Sequence, residues 1–112
     1  MSYFVDSKIN IEHMKEAGRK SCDVLGVENG CIDGCKAGFT FVYDTEYGKG
    51  GIHQDQEGFL VVEGTGMALI GDEEQKLYPG VCMIAPAGVK HIFKKDLDCE
   101  HVKLFWFHAA VL

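Results

Sequence analysis

Short apolar runs, each closed by a glycine-bearing turn, fill the chain from residue 39 to its end, and this punctuation restricts the fold more than any other feature. With 14 glycines and only two prolines, the runs between turns are strand-sized rather than helix-sized. Residues 39–43, 58–62, 67–70, 75–78, 81–85 and 91–94 read as strands, and 101–111 as one long closing strand. Gly64-Thr65-Gly66 turns the chain between two of them, and Gly71-Asp72-Glu73-Glu74 makes a hairpin of the next pair. One helix is expected over residues 10–17, with Asn10 placed to cap it and Gly18 to stop it. Residues 18–38 carry the weakest signal; Cys31 and Cys35 within them read as two free thiols beside a turn. Many short strands at close spacing predict an all-β sandwich, barrel or jelly roll.

Composition narrows the partners. The formal charge is −6, and no stripe of lysine and arginine is present, so the chain is not expected to bind nucleic acid or an anionic membrane. No stretch approaches the ~18 apolar residues of a membrane span. The first residues, from Met1 to Lys8, lack the basic-then-apolar pattern of a secretory signal. Five cysteines, an odd number, then suggest free thiols in the cytoplasm.

Chemistry concentrates in residues 51–64 and 80–91. In extended chain, His53, Asp55, Glu57, Phe59 and Val61 fall on one face. A carboxylate beside barrel-interior apolar groups is costly unless something neutralises it, and a metal ion does so. His91 follows the rigid turn Pro86-Ala87-Gly88, which aims the next strand. Imidazole nitrogens with one carboxylate oxygen suit Fe, Mn, Ni, Co or Zn.

The order and spacing of these residues resemble the cupin superfamily over about residues 39–107. Its first motif, G-x5-H-x-H-x3–4-E-x6-G, is matched at His53, Glu57 and Gly64; its second, G-x5-P-x-G-x2-H-x3-N, at Gly80, Pro86, Gly88 and His91. Gly51 stands in place of the first histidine, Thr45 in place of the leading glycine, and Lys95 in place of the asparagine. The resemblance implies a double-stranded β-helix, or jelly-roll barrel, with a short N-terminal helix. It implies one domain over residues 1–112, with the helix and leading strands in 1–38 and the barrel in 39–111. It carries over three metal ligands, His53, Glu57 and His91.

Members of the superfamily share a scaffold and differ in reaction, so the resemblance allows a dioxygenase, isomerase, decarboxylase or lyase. The expected function is that of a metal-dependent enzyme acting on a small polar metabolite, a sugar or an organic acid. Asp55 and Tyr43 are the candidate proton-moving groups. The alternatives are a non-catalytic small-molecule-binding cupin and a metal-free structural one. On the closing strand, Leu104, Trp106 and His108 share one face and Phe105 and Phe107 the other. Lys103 lies with Phe105, which assigns that face to the outside. An outward phenylalanine pair needs cover, so a homodimer is expected.

Overall fold

The structure, a computed structural model, describes residues 2–111. A helix, α1 (Ser7–Glu16), leads into eight strands: β1 (Ser21–Leu25), β2 (Lys36–Val42), β3 (Glu57–Glu63), β4 (Gly66–Ile70), β5 (Glu73–Leu77), β6 (Cys82–Ala85), β7 (His91–Lys95) and β8 (Val102–His108). They form two antiparallel sheets, ordered β1-β2-β8-β3-β6 and β5-β4-β7. No helix among the described residues is long and apolar enough to cross a membrane.

The helix begins earlier than the sequence suggests. Asp6, not Asn10, is its N-cap: the Asp6 carboxylate accepts from the Lys8 backbone N–H at 3.1 Å. Asn10 sits inside the helix, and its Nδ2 donates to the Asp23 carbonyl of β1 at 3.2 Å. The end falls as expected, with Ala17 capping and Gly18 taking the left-handed φ of +69°. Met14, almost fully buried, anchors the helix.

β1 was not legible because Ser21 and Asp23 face solvent and only half-buried residues alternate with them. It is an edge strand recruited by pairing with β2. Elsewhere the alternation decides the faces. On β3, Glu57, Phe59 and Val61 point inward; on β8, Val102, Leu104, Trp106 and His108 do. The register places these inward residues side by side: Glu57 opposite His108, Phe59 opposite Trp106, Val61 opposite Leu104. Phe59, Val61, Leu104 and Trp106 form the core with Ala68 and Leu77 of the smaller sheet. The outward assignment of Lys103 holds, since its ammonium lies over the rings of Phe39 and Phe41 at 5.0 and 5.7 Å. Phe41 is buried, yet in this outer layer, with Lys15 of α1 over its ring, rather than in the barrel core.

Gly64 closes β3 at φ +87°, and a Cβ there would come within 2.0 Å of the His101 carbonyl oxygen. Backbone cannot yield as a side chain tip can. Gly64→Ala is therefore expected to cost about 2–4 kcal/mol, combining left-handed strain with overpacking. A shift in the urea midpoint measures it.

Candidate metal centre

Glu57, at the start of β3, is the hub. It is only 7% exposed although it is a carboxylate. Position 57 lies between His108 on β8 and Ala85 on β6, so sheet pairing fixes its backbone on both sides. His91 opens β7 in the opposite sheet and is equally buried. Its Nε2 stands 3.3 Å from Glu57 Oε1. His53 Nε2 stands 3.3 Å from the same oxygen.

The route by which His53 arrives differs from the extended-strand reading. β3 starts at Glu57, and His53 and Asp55 lie in the loop before it. Two sets of backbone hydrogen bonds hold that loop. Gly51 and His91 exchange N–H···O bonds, both 2.9 Å, in an isolated bridge, and the Gly88 N–H donates to the His53 carbonyl at 2.8 Å. The turn at Pro86–Val89 closes with its own 3.0 Å bond from the Val89 N–H to the Pro86 carbonyl. The two halves of the sequence signature are thus bonded to each other, which explains why their spacings matter.

His53, Glu57 and His91 offer ligand atoms that all lie within 4.8 Å of one another. The separations suit an ion. Two ligands about 2.0–2.2 Å from one metal, at tetrahedral or octahedral angles, stand about 3.0–3.4 Å apart. The histidine–carboxylate hydrogen bonds elsewhere in the chain are shorter, 2.7 Å for His108–Asp55 and 2.9 Å for His101–Glu63. His91 Nδ1 is buried without a protein partner, so its ring is not held by a hydrogen bond from behind. The donor set, two imidazoles and a carboxylate, fits a divalent transition ion.

Gly51 faces this centre. A Cβ at that position would lie 3.3 Å from His91 Nε2 and 3.6 Å from His53 Nε2, so the absent side chain leaves room directly beside both nitrogens. The His53 side chain, 43% exposed, stands at the rim of that opening.

Of the two proton-moving candidates, the structure pairs Asp55 with His108 beside Glu57, while Tyr43 makes no hydrogen bond to the centre and lines a cavity of about 310 Å³ that it shares with Gly51 and His91. Asp55 Oδ2 accepts from His108 Nδ1 at 2.7 Å. Burial pushes the Asp55 carboxyl up, but the hydrogen bond and charge of His108 outweigh it and hold it below the ordinary aspartate range. Tyr43 follows the end of β2, its ring stacked 6.4 Å from Phe41 and edge-on to His101 at 6.1 Å. Val42, between Phe41 and Tyr43, fills the core.

His108 is the group that motif reasoning passed over. Its Nε2 stands 3.3 Å from Glu57 Oε2. The signal was present in the alternation of Leu104, Trp106 and His108: a histidine ending an inward apolar face invites the same question as Glu57.

Residues 42–108 match the cupin domain family, and the chain belongs to it. Solved structures agree on the fold. The cupin domain of Schizosaccharomyces pombe Cnp3 superposes with a TM-score of 0.68 at 14% identity, covering 81% of this chain and 60% of that one. A cupin 2 conserved barrel domain protein from Rhodopseudomonas palustris gives 0.67 at 14%, with 81% and 60% covered. Iron(II) HppE in complex with substrate gives 0.66 at 18%, with 80% and 52% covered. The chain therefore spans between about half and three-fifths of these neighbours' lengths. Comparison with curated proteins finds no match.

Proposed function

We propose that this cupin holds one divalent metal ion through His53, Glu57 and His91 and acts enzymatically on a small polar metabolite, a sugar or an organic acid. The observation that carries the reading is the convergence of two imidazole Nε2 atoms, each at 3.3 Å, on one oxygen of a buried carboxylate. Glu57 is a buried carboxyl group at the end of an apolar face, a placement that is costly for the carboxylate unless a positive group neutralises it. When bound, the ion supplies a Lewis acid that polarises an oxygen of the metabolite. The chain contributes the rest. Gly51 leaves space for the metabolite beside the ligand nitrogens, and His53 borders its entry.

Fe, Mn, Ni, Co and Zn all suit the donor set. HppE is described with iron(II), which makes iron(II) the first ion to test. Metal analysis of the purified protein and anaerobic calorimetric titration should show one ion per chain; no binding overturns the reading. Turnover of sugars and organic acids by the loaded protein then separates an enzyme from a binding module. The cysteines are unpaired, which suits a reducing cytoplasm.

We also propose that the protein is a homodimer. Leu60, Ile84 and Phe107 are 38%, 48% and 44% exposed on neighbouring strands of the larger sheet. Phe107 and Ile84 both sit opposite Gly58, and the Phe107 ring lies across that glycine, within 2.3 Å of where a Cβ would stand. The patch is therefore continuous across three strands, and a second copy covers it with a two-fold interface of about 1,200 Å² or more. Light scattering should give twice the 12.4 kDa of one chain, and Phe107→Glu should return it to one. A wild-type mass of one chain refutes the dimer.

A further inference from the structure

We propose that His108, held in place by Asp55, is a fourth protein ligand of the metal centre, supplied from β8 on the Glu57 Oε2 side and apart from the opening at Gly51. This rests on the metal-binding reading above and adds a residue to it.

Three imidazoles meet Glu57 at the same distance. His53 and His91 stand 3.3 Å from Oε1, and His108 Nε2 stands 3.3 Å from Oε2. His108 lies outside the set of ligand atoms within 4.8 Å of one another, so it joins the same ion only when Glu57 binds through both oxygens and the His108 ring closes on the metal. Ring spacing agrees: the His53 centroid lies 5.1 Å from that of His91 and 5.3 Å from that of His108. Were His108 only a charge partner of Glu57, a charge-assisted N–H···O bond of about 2.7–2.9 Å would be expected. That bond is made instead on the other side of the ring, from Nδ1 to Asp55 at 2.7 Å.

Asp55 thereby fixes which nitrogen carries hydrogen and turns Nε2 toward the centre. A carboxylate behind a histidine is the usual support of a ligating imidazole. Asp55 lies on the loop between His53 and Glu57, so one short segment carries two ligands and the support for a third. His108 itself is 8% exposed and fixed by pairing opposite Glu57.

The test is zinc titration of the wild-type protein labelled with ¹⁵N-histidine. There are five histidines: His13, His53, His91, His101 and His108. Zinc should shift the Nε2 resonances of three, His53, His91 and His108, and leave His13 and His101 in place. His108→Gln should remove the third responding signal and lower zinc affinity more than tenfold. Asp55→Asn should lower it by about 10- to 100-fold, the usual effect of losing an outer partner. If only His53 and His91 respond and His108→Gln binds zinc like wild type, this inference falls and the three-residue site stands. If no histidine responds, both fall. The count of responding signals in the wild type, three against two, decides even where His108→Gln does not fold.

Discussion

His91→Ala is expected to reduce metal affinity by more than about 100-fold, beyond what loss of an outer-shell partner causes, while the apo barrel stays folded. The argument has two halves. His91 is one of the two imidazoles on Glu57 Oε1, and it comes from the opposite sheet, so no neighbouring side chain on β3 or β8 replaces it. Its structural duties, in contrast, are backbone ones. The bridge to Gly51 uses the His91 N–H and carbonyl, both of which alanine keeps. The ring also buries an Nδ1 without a partner, so its removal costs no side-chain hydrogen bond there. Calorimetric titration paired with a thermal melt of the metal-free protein reads both halves. Full affinity in His91→Ala would place the metal elsewhere. Collapse of the apo fold would show that the imidazole, not the strand pairing, holds the two sheets at that corner.

What the sequence made legible follows from locality. Strand runs with inward apolar residues, such as residues 58–62 and 101–111, announce themselves because alternation and glycine turns are local, although the last strand ends at His108 and the apolar residues after it are not part of it. The Pro86–Gly88 turn and His91 are equally local, and their spacing survives in the structure as the bond between Gly88 and the His53 carbonyl. β1 was hidden because an edge strand with Ser21 and Asp23 outward has no apolar signature. The start of α1 was missed because Asp6 and Asn10 are both competent caps; Asp6 caps the helix, and Asn10 bonds from within it to the Asp23 carbonyl of β1. His53 reaches Glu57 by another route than strand alternation: a loop tied by backbone bonds delivers it. The Asp55–His108 pair joins residues 53 positions apart. Nothing in a local pattern brings them together; the β3–β8 register does, by placing Glu57 beside His108.

Leu104→Ala is expected to be among the most destabilising single changes, costing about 2–5 kcal/mol. Leu104 is fully buried, sits in the middle of β8, and faces Val61 across the β3 pairing and Thr40 across the β2 pairing. β8 is the central strand of the larger sheet, so its neighbours are pinned on both sides and cannot close the void. With total stabilities of about 5–15 kcal/mol for a domain, that loss leaves a marginal fold. Leu104→Val, which removes less, keeps the effect measurable where alanine does not fold. Trp106 offers an informative contrast. Its Nε1 has no partner, so Trp106→Phe loses no hydrogen bond, and the ring already uses space that Gly38 leaves open, 2.6 Å from where a Cβ would stand. Trp106→Phe should therefore cost less than Leu104→Ala even though tryptophan is the larger residue. Phe107→Ala, on the outer face, should cost less again in the isolated chain, because that ring is 44% exposed before any change. Urea unfolding of the four variants at a concentration low enough to keep the chains apart gives the order directly. If Phe107→Ala proves costlier than Leu104→Ala, the two faces of β8 are reversed, and with them the placement of His108 beside Glu57.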